Sequence, residues 1–341
     1  MGKSKKYVLI ALMVLLSVLA TQCAPAAAPA EEAPAADSGT TYKLAAIFPG
    51  VITDADYNTL AYVGISELQK ATGVETTYSE SVAVPDVDRV MREYIDAGYN
   101  IIWTHGGQFV TQTVDLARLF PDVIFIAEGD DAVADAPANL WFIDRNFHVG
   151  YYAIGAVAAK ATQTGKIGYI GGLSLPFSYA EVHAIQQALA DSGKDVELKM
   201  VWTGNFNDPT KARQVADALI AEGCDVLMGS LNLGMFGVFE AVKANPEPVL
   251  VTAKYTDKAS YAPENYLTSL IYDFAGPLKD IYGKIEAGET GGYYPLGFAT
   301  GVAIQTPLQN TSETVQTEME PIIQDLIDGK ITVVKDSSEI Q

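Results

Sequence analysis

Short apolar runs alternate with amphipathic stretches along most of the chain. From residue 41 onward, the runs at residues 44–48, 100–103 and 123–127 are typical of buried parallel strands. Between them, apolar residues recur at helical spacing, as in residues 87–97, where Gly98 marks the end of the helix. This strand–helix alternation predicts a parallel sheet with helices on both faces.

The same order begins again in the second half of the chain. Residues 151–161 form a small-residue pattern that predicts a closely packed core helix. Further strands and helices are predicted, in chain order, at residues 166–170, 181–192, 196–202, 211–221, 225–228, 236–244 and 248–253. We therefore predict two doubly wound parallel-sheet lobes that face each other, with the strand-end loops lining the cleft.

A polar loop follows the first predicted strand. Residues 53–58 place an aromatic ring, an amide and two carboxylates where open α/β sheets bind their ligands, at the carboxyl end of a strand. A second such loop, residues 104–108, carries His105 and Gln108. The first loop sets no nucleophile beside a base, so we predict binding rather than catalysis, and no catalytic residue.

The overall charge narrows the range of partners. The chain has 22 Lys and Arg against 42 Asp and Glu, which argues against nucleic-acid binding and against adsorption on anionic lipid. The histidines are scattered and Cys224 has no cluster around it, so we expect no metal site, and Cys224 is predicted to be a small buried residue. The glycine-rich turn at residues 168–172 lacks the spacing of a dinucleotide site, and no cofactor is expected.

The first 40 residues predict export. Three lysines in the first six residues precede an uncharged apolar run, the pattern of a signal peptide at residues 1–22. Residues 19–23 resemble a bacterial lipobox, with Gln22 where a small residue is usual, so we expect Cys23 to be lipidated; the alternative is an ordinary secretory signal. The Ala/Pro-rich residues 23–40 predict a tether. The expected location is extracytoplasmic, anchored to the cell membrane as a lipoprotein.

Four motifs in order resemble the basic membrane protein (BMP) family, bacterial solute-binding lipoproteins that include purine-nucleoside receptors of ABC importers. The motifs are the loop at residues 54–58, the small-residue helix and Gly-Lys strand at residues 150–172, the turn at residues 204–209, and the strand at residues 267–269. The resemblance implies a type I periplasmic binding protein fold, whose lobes are joined by a hinge that the chain crosses three times. By this resemblance, one lobe comprises residues 41–145 plus 257–300, and the other residues 146–256 plus 301–341.

The resemblance also implies roles for individual residues. Tyr57 and Phe206 would sandwich a purine base, Asn58 would bond its edge, and Asp54 and Asp257 would bind ribose hydroxyls. Four further candidates come from the other strand-end loops: His105, Gln108, Asp130 and Asn232. The implied partners are a small-molecule ligand, an ABC permease and an ATPase, and the expected state is a monomer.

Three alternatives remain open at this point. One is a receptor for a sugar or a signalling molecule that feeds a transporter or a sensor. Another is a nucleoside hydrolase, in which carboxylates would hold a hard cation; the candidates are Asp54, Asp56, Glu128, Asp130 and Asp131. A structural surface protein would show no ligand-dependent closure. The opposed pair of aromatic rings favours a flat base over a sugar.

Overall fold

Two six-stranded sheets organise residues 41–340, the part of the chain that the computed structural model describes. The predicted signal peptide, Cys23 and the tether lie outside this part. The strands are β1 (Lys43–Ile47), β2 (Glu75–Ser79), β3 (Ile101–Thr104), β4 (Ile124–Gly129), β5 (Leu140–Asp144), β6 (Lys166–Gly171), β7 (Glu197–Trp202), β8 (Val226–Ser230), β9 (Leu250–Tyr255), β10 (Tyr266–Tyr272), β11 (Gly292–Pro295) and β12 (Val302–Ile304).

The first sheet has the order β11-β5-β4-β3-β1-β2 and the second β12-β10-β9-β8-β6-β7. All neighbours in the first sheet are parallel, and in the second only β12 runs antiparallel, against β10. Their central strands are mostly apolar and are buried from end to end, as expected when helices cover both faces. The predicted two-lobe α/β fold is confirmed.

Nine α-helices lie within the described residues. They are α1 (Tyr57–Thr72), α2 (Val87–Asp96), α3 (Val110–Leu119), α4 (Phe147–Ala161), α5 (Pro176–Ser192), α6 (Pro209–Ala221), α7 (Met235–Ala244), α8 (Ala275–Glu286) and α9 (Glu313–Ile327). None of these helices is long and apolar enough to cross a membrane. Helices α4 and α5 begin four and five residues earlier than the pattern predicts, and Pro176 suits the first turn of α5 because that position needs no backbone N–H donor.

The sheet membership of β10 differs from the predicted lobe boundary. The sequence assigned residues 257–300 to the first lobe, whereas β10 pairs in parallel with β9 and so extends the second sheet. The chain returns to the first lobe only afterwards, where α8 packs against α1 and β11 joins β5. The reason is that β10 continues the buried apolar surface of the second sheet, with six of its seven residues buried.

The small residues of α4 let it pack closely on α5. A Cβ atom at Gly155 would lie 3.0 Å from the Cα atom of Ile185, closer than side chains normally approach a backbone. The predicted core helix is therefore confirmed: all but two of the fifteen residues of α4 are buried. Cys224 is buried as predicted, and its burial raises the pKa of the thiol to about 11.

The last described residues, 331–340, run along α5 and reach the end of β5. Gln187 donates to the carbonyl of Thr332 at 3.0 Å and accepts from the backbone N–H of Val334 at 2.9 Å. Farther along, the Lys335 ammonium donates to both oxygens of Asp144, at 2.8 and 3.0 Å. This C-terminal segment therefore connects a helix of the second lobe with a strand of the first.

His148, in the first turn of α4, should make the stability of the protein depend on pH. Burial, reinforced by the nearby charge of Lys335, lowers its pKa to about 4. In the unfolded chain a histidine takes up a proton near pH 6.5, so between these values the unfolded state binds more protons and stability falls as the pH falls. The loss attributable to His148 should be at most about 3 kcal/mol.

Urea unfolding at several pH values between 4 and 7.5 measures this contribution. The His148→Asn variant should lose less stability on acidification than the unaltered protein, because asparagine does not titrate. Equal losses in both proteins would assign the whole pH dependence to other groups.

Candidate ligand-binding site

A cavity of about 720 Å³ lies where strand-end loops of both sheets meet. The first sheet contributes the loops after β1, β3, β4 and β5, and the second those after β6, β7 and β8 together with the last residue of β9. The lining includes six rings, Tyr57, Phe142, Phe147, Phe177, Phe206 and Tyr255, and the polar side chains Asn58, Gln108, Asp130, Asp131, Arg145, Asn207, Ser230 and Asn232. The cavity thus joins aromatic surfaces to a limited set of hydrogen-bonding groups, the usual composition of a small-molecule site.

Asp54 shapes the first loop from beneath the cavity. Its buried carboxylate accepts from the backbone N–H groups of Asp56, Asn58 and Thr59 at 2.9–3.1 Å, as well as from the Asn58 amide at 2.7 Å. These N–H groups belong to the start of α1, where no intrahelical acceptor is available. Asp54 therefore holds the turn and the amide of Asn58 in place, and it is not part of the cavity lining.

Tyr57 reaches the cavity from a buried polar cluster. Its hydroxyl donates to Glu128 Oε1 at 2.6 Å, and its ring stacks on His105 with the centroids 3.7 Å apart. The other Glu128 oxygen lies 2.6 Å from Nδ1 of His105, while Nε2 of that histidine donates to the Tyr57 carbonyl at 3.0 Å. One face of the Tyr57 ring is therefore covered, and burial raises the pKa of its hydroxyl well above the ordinary value.

Asp130 and Arg145 form an ion pair on the cavity wall. The residues before them, Gly129 and Asp144, are partners in the β4–β5 register, so the two side chains leave adjacent strand ends. Nε of Arg145 donates to Oδ1 of Asp130 at 3.0 Å, and Nη2 donates to Oδ2. Burial has the largest single effect and lowers the pKa of Arg145, but the Asp130 charge together with Tyr57 and Glu128 outweighs burial, so the pKa lies well above its usual value.

The second lobe supplies a stacked pair of rings, Phe177 and Phe206, with centroids 6.1 Å apart and planes inclined by 19°. The backbone of Gly172 approaches the Phe206 ring so closely that a Cβ atom there would lie 2.1 Å from Cδ1. The carbonyl of Phe206 accepts from the backbone N–H groups of Asn232 and Gly234, at 3.0 and 2.9 Å. These bonds fix the loops after β7 and β8 to each other.

A second buried ion pair supports this wall from behind. Lys254 Nζ lies 2.8 Å from Glu181 Oε1, and Tyr169 donates to the other carboxylate oxygen at 2.6 Å. The same ammonium sits 3.6 Å from the centroid of the Phe147 ring, a cation–π contact. Burial lowers the pKa of Lys254, while Glu181 acts in the opposite direction.

The structure brings six of the nine predicted ligand-binding residues to the cavity: Tyr57, Asn58, Gln108, Asp130, Phe206 and Asn232. Asp54 and His105 are buried behind its wall. Asp257 is exposed and accepts from the backbone N–H of Ala259 at 2.8 Å, outside the lining. The two carboxylates expected at a ribose are therefore both absent from the lining.

The family model "Bmp: ABC transporter substrate-binding protein PnrA-like" matches residues 41–335. The chain belongs to this family. Basic membrane protein A2 of Borrelia garinii is 27% identical over 269 residues, 76% of this chain and 78% of that protein. A purine-binding protein of Brucella abortus is 28% identical over 214 residues, 62% of this chain and 59% of that protein.

Solved structures show the same fold. A solute-binding protein of an ABC transporter system from Conexibacter woesei superposes with a TM-score of 0.71 and is 24% identical, covering 86% of this chain and 99% of that one. The family model confirms the family resemblance inferred from four sequence motifs.

Sequence reasoning missed several residues of this BMP protein's cavity, above all Arg145, Phe177 and Tyr255. Arg145 directly follows β5, so the rule that located the other loops could have flagged it. Phe177 was missed because α5 begins five residues earlier than predicted. Phe177 therefore lies in the first turn of this helix rather than in the loop before it. Tyr255 is the last residue of β9, which ends two residues later than the predicted strand at residues 248–253, and it was not considered as a ligand contact.

Proposed function

We propose that this protein is the extracytoplasmic receptor of an ABC importer, which captures a purine nucleoside or its base between the two lobes and delivers it to a membrane permease. The cavity carries this proposal, because loops from both sheets contribute an aromatic ring and an amide to one space. Closure of the lobes around the ligand would bring these groups together. The protein itself catalyses no reaction in this scheme.

The cavity's chemistry supports a flat ligand with a polar edge. Phe206 and Phe177 present a stacked aromatic wall, and stacking on a base contributes roughly 1–3 kcal/mol. The amides of Asn58, Gln108 and Asn232 each offer a donor and an acceptor for a heterocycle edge. The purine-binding relative from Brucella abortus supports the same ligand class.

The partners follow from the receptor role. A permease would receive the ligand and an ATPase would drive its passage, and we infer that a lipid on Cys23 holds the receptor, as a monomer, at the membrane. Incorporation of labelled palmitate into the full chain, lost in the Cys23→Ser variant, tests the anchor. Labelling that persists in the variant would reject it.

Calorimetric titration of the purified protein with inosine, adenosine, hypoxanthine, adenine, galactose and glucose tests the ligand class. Bound ligand is first removed by partial unfolding and dialysis. We expect saturable binding of purines, and a ligand at 100 times its dissociation constant should add about 2.7 kcal/mol of stability. For a chain of this length the unfolding midpoint should then rise by at least about 2 °C.

Other results of the same titration distinguish the alternatives. Binding of a sugar without any purine would make the protein a sugar receptor, in which the cavity amides bind hydroxyls. Release of free base from inosine during the incubation would indicate a hydrolase. A protein that binds none of the six compounds would contradict the purine assignment.

A further inference from the structure

Arg145, at the cavity wall, has more hydrogen-bond donors than its protein partners use. A guanidinium carries five N–H donors and no acceptor. Among residues 41–340, Asp130 takes two of them and the Tyr57 hydroxyl accepts one from Nη1 at 3.2 Å. One N–H on Nη1 and one on Nη2 remain, both in the plane of the guanidinium.

The surroundings fix the plane of this group. The guanidinium carbon lies 4.8 Å from the ring centroid of Phe147 and 5.4 Å from that of Phe177. The residue is only 6% exposed and borders the cavity. Because Asp130 and the Tyr57 hydroxyl hold three of its donors, the guanidinium cannot rotate freely, and a ligand acceptor in the cavity is an available partner for the other two.

The charge at this wall is balanced. Asp130 neutralises Arg145, and Asp131 at the rim lies 3.8 Å from the Lys335 ammonium. Glu128 behind the wall bonds to His105 and Tyr57. The wall therefore offers hydrogen-bond donors but carries no net positive charge. Such a wall suits a ligand with a neutral edge of acceptors better than an anionic ligand.

We propose that Arg145 makes the site selective for oxopurines, whose C6 carbonyl oxygen and N7 form an edge of two acceptors. An arginine fork pairs with this edge, whereas a 6-aminopurine places an N–H donor against one arm of the fork. This inference rests on the proposed purine function and names the ligand class within it. A bidentate pair of this kind should favour inosine over adenosine by about 5- to 150-fold.

The test compares the dissociation constants of inosine and adenosine, and of hypoxanthine and adenine, for the purified full-length protein by titration calorimetry. The Arg145→Lys variant keeps the positive charge beside Asp130 but loses the planar fork, so the preference should collapse toward equal affinity. The neutral double variant Asp130→Asn/Arg145→Gln should also lose the preference for inosine. Because this variant leaves no unpaired charge, it controls for misfolding caused by one. Arg213→Lys changes an exposed arginine on α6 and should keep the preference.

The outcomes separate this inference from the proposed function. Adenosine binding as tightly as inosine, or more tightly, would overturn the inference while leaving a purine receptor. An unchanged preference in Arg145→Lys would equally overturn it. If no purine binds at all, the proposed function fails, and the inference fails with it.

Discussion

Replacing Lys254 with methionine should lower the free energy of unfolding by about 3–5 kcal/mol, the usual cost of leaving one member of a buried ion pair without its partner. The side chains of Lys254 and Glu181 are 2% and 0% exposed. Without the ammonium, the Glu181 carboxylate would keep, among residues 41–340, only the Tyr169 hydroxyl as a donor. It would then have to take up a proton or remain a solitary buried charge.

Two further variants make this expectation specific to the pair. The double variant Glu181→Gln/Lys254→Met removes both charges at nearly constant volume and should recover most of the lost stability. Lys279→Met breaks an ion pair with Glu67 whose side chains are 37% and 50% exposed, and should cost less than about 1 kcal/mol. Urea denaturation followed by circular dichroism gives all four free energies, and a double variant as unstable as Lys254→Met would disprove the explanation.

Removing the ring of Phe206 should weaken purine binding by about 5- to 150-fold, because stacking on a base contributes roughly 1–3 kcal/mol. Phe206 borders the cavity, and Gly172 and Phe177 hold its ring in place. A ring with so little freedom loses little entropy when a base stacks on it. The Phe206→Ala variant should therefore lose affinity mainly through faster release of the ligand.

Phe298→Ala is the matched control, since Phe298 is also partly buried and lies outside the cavity lining. Titration calorimetry and stopped-flow release should show normal affinity for this variant and a large loss for Phe206→Ala. Equal losses in both variants would point to a general loss of stability. Unchanged affinity in Phe206→Ala would remove this ring from the site.

The fold was predictable from sequence because its signals are local. An apolar run ending in a polar loop and followed by helical spacing marks one βα unit, and most predicted units form. The lobe boundary at residue 257 could not be placed in this way. Whether β10 extends the second sheet or starts a return to the first depends on its pairing with β9, a contact that no local pattern encodes.

The sequence could predict which residues line the cavity only where their position in a strand-end loop is enough to place them there. Strand-end position correctly brought Asn58, Gln108 and Asn232 to one cavity. The orientation of a side chain depends on competing partners, and the backbone N–H groups at the start of α1 capture Asp54. The Asp130–Arg145 pair follows from the β4–β5 register, which brings together residues fifteen positions apart.

The buried position of Cys224 makes the protein suitable for site-directed fluorescent labelling. The chain contains only two cysteines, and the Cys224 thiol is 1% exposed and has a raised pKa, so it should react very slowly with maleimides. With Cys23 replaced by serine, one cysteine introduced on each lobe would take up a donor and an acceptor dye. Energy transfer between the dyes would then measure the distance between the lobes and so test whether the proposed purine ligand closes them.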